Sequence, residues 1–172
     1  MAEHAPIRTA FERNAQLLRL RPDIGQKTYV TRVRVRDGLT CDIEEGPWKL
    51  TADLSSQCGG NAAGPTPGTL GRAALGSCLA MSYVMWAAKL GVPLGQVAVD
   101  IQADTDVRGM YGVDDASAGY AEVRYLVSIT SPAPEADILR VLDIAETHSP
   151  YMDVFRRSQT LRQQVRLLTS EE

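Results

Sequence analysis

Between Leu70 and Leu90 the chain carries only two charged side chains, Arg72 and Lys89. Its large apolar residues, Leu75, Leu79, Val84, Met85, Trp86 and Leu90, fall on several faces of a helix instead of one stripe. Such a helix must be wrapped by other structure. Arg72 and Lys89, with Gly71, Gly76 and Ser77, break the run too often for a membrane span, so it reads as a buried core helix. Thr66-Pro67 suits its start, and Gly91-Val92-Pro93 suits its stop. Cys78 sits in its middle, in Gly76-Ser77-Cys78-Leu79-Ala80-Met81. A thiol there is a small buried hydrophobe or a nucleophile held at the edge of a core.

The flanking segments supply what wraps this helix. Ile7 to Leu20 places Ile7, Phe11, Leu17 and Leu18 roughly on one helical face, and Arg21-Pro22-Asp23 ends it. Thr28 to Arg36 alternates: Val30, Arg32, Arg34 and Arg36 share one parity, and Tyr29, Thr31, Val33 and Val35 the other. With Asp37-Gly38 and Glu45-Gly46-Pro47 as turns, Leu39–Ile43 and Trp48–Leu54 complete an antiparallel meander of three strands. Ser55 to Gly68 is a loop. Val97–Ala103 and Ala121–Thr130 read as strands joined by a polar connection, Asp104 to Gly119. Pro134 to Thr147 has helical spacing. Ser149-Pro150 restarts a short helix, because Ser149 is a good N-cap and Pro150 fits the first helical position. Leu161 to Leu168 is expected to close the chain as a strand. The order predicts an α+β domain over residues 1–172, with antiparallel sheets packed on two long helices.

The 172 residues are enough for one real core, and 44% hydrophobic with 23% charged residues is ordinary for a globular chain. A net charge of −3 argues against a nucleic-acid surface. Only His4 and His148 are histidines, which leaves no His-rich metal site, and nothing calls for an organic cofactor. Cys41, Cys58 and Cys78 are too few and odd in number for a disulfide framework. The N-terminus, interrupted by Glu3, Arg8, Glu12, Arg13 and Arg19, lacks the apolar run of a signal peptide. A cytoplasmic protein with reduced thiols, without a membrane partner, is the expectation.

The run from Gly64-Pro65-Thr66-Pro67-Gly68 to Gly76-Ser77-Cys78 resembles the signature of the OsmC/Ohr family, in which a Gly/Pro loop opens a central helix bearing a reactive cysteine. Ser149-Pro150-Tyr151-Met152-Asp153-Val154-Phe155 stands where the family has a Cys-Pro opening a short helix, and Arg36-Asp37-Gly38 matches an Arg in the first hairpin turn. The resemblance spans residues 28–168, with 1–27 as a helical extension. It implies an OsmC/Ohr-like intertwined homodimer that reduces organic hydroperoxides or hydrogen peroxide with a dithiol or small-thiol reductant. It also implies Cys78 as the attacking thiol and Arg36 as the group favouring its thiolate, a role Arg32 or Arg34 could fill from the same face. Two family positions are replaced: the Glu after the helix-entry Pro is Gly68, and the resolving Cys is Ser149. Cys58, in the loop before the helix, is a candidate substitute resolving thiol, while Cys41 reads as structural. The alternatives are a non-catalytic relative that binds a small molecule, and a one-cysteine redox sensor.

One small sheet cannot cover a helix that is apolar nearly all round, so a second subunit is expected to complete its burial. Size-exclusion chromatography with light scattering should return a dimer; a stable monomer at micromolar concentration would remove that expectation.

Overall fold

The computed structural model describes residues 4–168. In chain order it has α1 (His4–Leu20), β1 (Arg32–Asp37), β2 (Thr40–Glu45), β3 (Trp48–Ala52), α2 (Pro67–Leu90), β4 (Val97–Thr105), β5 (Tyr120–Ile129), α3 (Glu135–Thr147) and α4 (Pro150–Arg156). Short 3-10 turns stand at Pro22–Gly25, Ser56–Cys58 and Val107–Tyr111. The α+β reading and the antiparallel pairing hold.

α2 begins and ends as its sequence dictates. The Thr66 hydroxyl accepts from the Thr69 amide, and Pro67 occupies the first turn, where its missing N–H costs nothing. At the far end Gly91 adopts a left-handed φ of 72°, and its N–H returns to the Ala87 carbonyl. By length and composition α2 could also cross a bilayer, alone among the described helices. Here its inward face packs on protein: Leu75, Leu79 and Tyr83 form the main core with Ala145 of α3 and Met152 of α4. The strand residues Val97, Val99, Ile101, Val123 and Val127 close that core from below. A second cluster joins Ala87, Leu94 and Val141 at the C-terminal end of α2.

β4 and β5 form a two-stranded antiparallel sheet, in register from Val97↔Ile129 to Asp104↔Glu122, with a shift before the last pair, Thr105↔Tyr120. This sheet carries α2. The other sheet, in the order β1-β2-β3, is different. Its pairing stacks Val33, Ile43 and Leu50 across one face, with Val35, Cys41 and Ala52 beside them. Arg32 and Arg34 lie opposite Glu44 and Asp42 on the other face. Among the described residues no helix packs over this sheet, and Val35 of its apolar face is 67% exposed. The expectation of sheets packed on two long helices is thus met within the chain by β4-β5 alone.

Three details depart from the sequence reading. β1 starts at Arg32, not Thr28. The polar connection before β5 is not featureless, since it holds the Val107–Tyr111 turn. Leu161–Leu168 forms no strand. Its alternation is real, but a strand needs a neighbouring edge, and this segment meets none; Leu161 is 92% exposed.

The loop from β3 to α2 is organised by one buried carboxylate. Asp53 Oδ2 accepts from the Thr40 hydroxyl at 2.8 Å and from the amides of Asn61 and Ala63 at 3.1 and 3.2 Å. Oδ1 accepts from the Leu54 amide at 2.7 Å. Gly60 must be glycine here: a Cβ would stand 2.2 Å from the Leu54 carbonyl oxygen. Burial works to raise the Asp53 carboxyl, but the Thr40 hydroxyl and the three amides outweigh it and hold it below the ordinary carboxylate value. A carboxylate depressed on folding stabilises above its unfolded value and loses that contribution as pH falls. Asp53→Asn should therefore lower the melting temperature at neutral pH. The gap between variant and parent should narrow below about pH 4, as read by melts across a pH series.

Candidate functional site

Cys78 owes its position to a glycine two residues earlier. Gly76 faces β4, where an added Cβ would stand 3.3 Å from Ile101 Cγ1, so α2 lies close on the strand. Two residues turn a helix by about 200°, which carries Cys78 to the side away from β4. There it is half-buried and opens into a cavity of about 590 Å³ lined by Phe11, Met81, Met85, Trp86, His148 and Tyr151. The lining is mainly apolar, in the size range of small-molecule sites. A cavity of about 660 Å³ between β5 and α4 is lined by Tyr120, Val123 and Phe155 and has no cysteine.

Ser149 meets Cys78 as its position after α3 implies. Its hydroxyl oxygen is 3.3 Å from Cys78 Sγ, 71 residues away in the chain. It is only 2% exposed. The same oxygen caps α4 by accepting from the Met152 amide at 3.4 Å. The hydroxyl keeps its own proton and a second lone pair beside the bond from Met152, so with a neutral thiol either group can donate. When the sulfur is ionised, a donated O–H is the sole arrangement this pair can take. Ser149 is therefore both the predicted helix cap and a neighbour of the thiol.

Gly68 is not an empty place. Arg72 Nη1 lies 3.2 Å from where a Gly68 Cβ would be. Arg72 donates to the Tyr120 hydroxyl at 3.2 Å, and that hydroxyl donates to the Gly68 carbonyl at 3.3 Å. Arg36 lies elsewhere, on the exposed meander, 3.6 Å from Asp42 Oδ1. No arginine lines the Cys78 cavity. Within one chain the structure thus unites Cys78 with Ser149 and leaves Arg36 on the separate sheet. Cys41 lies in β2 beside Val35 and Ala52. Among the described residues no group of three or more His, Cys, Asp or Glu could hold a metal ion.

Two groups important to the site carry no local sequence signal. Glu146 accepts from Tyr83 at 3.0 Å and from Tyr125 at 2.9 Å, and Arg156 stands 3.5 Å away. Burial pushes the Tyr83 phenol far up, with the Glu146 carboxylate adding to it, so it remains a donor at all ordinary pH. This network fixes the end of α3 just before His148 and Ser149. His148 is held by Nδ1 to the Ile144 carbonyl at 2.8 Å, and its ring lies 4.7 Å from that of Trp86. Only the folded arrangement brings these residues together.

Cys58 is exposed in its 3-10 turn and is not part of the Cys78 cavity. The Ser55 hydroxyl donates to its sulfur at 3.6 Å, and the nearby Tyr111 hydroxyl, then Ser55, hold the thiol below its ordinary value. Replacing Tyr111 by Phe removes that first hydroxyl. The pH midpoint of Cys58 alkylation, followed by peptide mass spectrometry, should then move upward; an unmoved midpoint would refute this pairing.

Comparison with known proteins agrees with this fold. The family model for OsmC-like protein matches residues 59–163, more than half of the chain. No curated protein sequence matches. Among solved structures, an OsmC-like protein from Mycoplasma pneumoniae superposes with a TM-score of 0.65 at 15% identity, covering 76% of this chain and 89% of that one. A Legionella pneumophila protein described as the organic hydroperoxide resistance protein OsmC does so at 0.56 and 16%, covering 76% and 92%. An organic hydroperoxide resistance protein from Elizabethkingia anophelis gives 0.58 and 14%, covering 76% and 91%. At such identities these likenesses establish the fold. The family match spans the Gly/Pro loop, α2 with Cys78, and the α3–α4 junction with Ser149, and the chain belongs to the OsmC-like protein family.

Proposed function

We propose that this protein is a thiol-dependent hydroperoxide reductase that works with one cysteine, Cys78. The observation that carries the reading is the half-buried Cys78 sulfur, open to an apolar cavity and 3.3 Å from a buried hydroxyl donor. The Cys78 thiolate attacks one peroxide oxygen. The O–O bond breaks, the alkoxide leaves and takes up a proton as alcohol, and the sulfur is oxidised by two electrons to a sulfenic acid. Ser149 donates its hydrogen bond to the sulfur through this step. It has no thiol to condense with the sulfenic acid. An external thiol does so, forming a mixed disulfide and releasing water; a second thiol then frees Cys78 and leaves as the disulfide with the first.

The proposal includes a homodimer. The apolar face of the meander, with Val33, Val35 and Leu50, and the outward stripe of α2, with Met81 and Met85, are exposed in one chain. A second copy covering them would also bring an Arg36 towards each Cys78, where its guanidinium favours the thiolate. Relatives described as organic hydroperoxide resistance proteins support this substrate class.

Three variants test the chemistry in a steady-state assay with cumene hydroperoxide and a dithiol. Cys78→Ser should abolish consumption, and undiminished consumption would sink the proposal. Arg36→Ala should lower kcat/KM by about 10- to 100-fold, the worth of one charge-assisted hydrogen bond. Ser149→Cys should gain an intramolecular disulfide between Cys78 and the introduced thiol after one equivalent of peroxide, detected by mass spectrometry, where the parent chain holds a sulfenic acid.

A further inference from the structure

α1 lies outside the residues matched by the family model, yet it forms part of the Cys78 cavity. Its half-buried residues, His4, Ile7, Ala10, Phe11 and Ala15, recur at helical spacing, and the helix packs on α2. Phe11 meets the Trp86 ring edge-on, with centroids 5.0 Å apart at 69°. The Lys89 ammonium lies 4.7 Å from the Phe11 centroid and 5.7 Å from that of Trp86, bracing one ring against the other. At the N-terminal end of α1, His4 Nε2 lies 3.1 Å from the Leu94 carbonyl oxygen and ties the helix down. Trp86 is thus held between Phe11 and His148. Phe11, Trp86 and His148 all line the cavity that contains Cys78.

We infer that α1 is a specificity wall: through Phe11 it sets the preference of the Cys78 cavity for hydroperoxides bearing a bulky aromatic group over hydrogen peroxide. This rests on the hydroperoxide reading above. Hydrogen peroxide needs only the sulfur and its donors. An aryl hydroperoxide buries its ring against the Phe11–Trp86 pair, and that contact orients its O–O bond towards Cys78.

Two measurements on the full chain test it. The first is the selectivity ratio, kcat/KM for cumene hydroperoxide divided by that for hydrogen peroxide. Phe11→Ala should lower it about tenfold, Phe11→Leu by less, and Arg13→Ala, on the outer face of α1, should leave it unchanged. The second uses no peroxide. In a Trp48→Phe background, binding of cumyl alcohol is followed by Trp86 fluorescence, and Phe11→Ala should weaken its Kd about tenfold. Circular dichroism checks that α1 persists in each variant. An unchanged ratio or an unchanged Kd in Phe11→Ala overturns the inference. If the parent chain binds cumyl alcohol through Phe11 yet consumes no hydroperoxide, the hydroperoxide reading fails and the wall stands as a ligand-binding element.

Discussion

Everything at the site depends on how closely α2 approaches β4. Gly76 permits that approach against Ile101, and Leu79, fully buried, locks it. The contact fixes both the depth and the rotation of the helix. Depth keeps Tyr83 in reach of Glu146, and rotation turns Cys78 away from the sheet into its cavity. A larger residue at Gly76 would lift α2 and displace the sulfur along with the core, because interiors packed to crystal density transmit such shifts.

The sequence reveals best what is local. The start and stop of α2, the two hairpin turns of the meander and the restart of helix at Ser149-Pro150 each rest on a few adjacent residues. They stand as read, to within a residue or two at the ends. Cys78 and Ser149 could be paired only through the family likeness, since 71 residues separate them. What the sequence hides is non-local or depends on a partner surface. Nothing near Tyr111 announces that it acts on the Cys58 thiol, nor anything near Glu146 that two tyrosines meet it. Phe11 reads as one apolar residue of an amphipathic helix, and its role at the Cys78 cavity emerges only from docking. Leu161–Leu168 misleads for the converse reason: its alternation is strand-like, but pairing is a property of two edges, not one segment.

Ser149, where the resemblance puts a resolving cysteine, has a double part in the fold. A serine at 3.3 Å preserves a polar neighbour for the sulfur and the cap of α4. Arg72, wedged beside Gly68 and bonded to Tyr120, is likewise part of a different local arrangement and not a gap. Cys58 stands on a separate loop beside Ser55, outside the Cys78 cavity.

Glu146 binds together four elements: Tyr83 of α2, Tyr125 of β5, Arg156 of α4 and its own α3. Ser149 follows three residues later, on the short span between two helices that this one carboxylate ties. Loosening the tie would let α4 drift and carry the hydroxyl off the sulfur while most of the core still stood. Heat would thus erode chemical competence ahead of the fold, making Cys78 reactivity an early reporter of local opening, sensitive before any global melt registers.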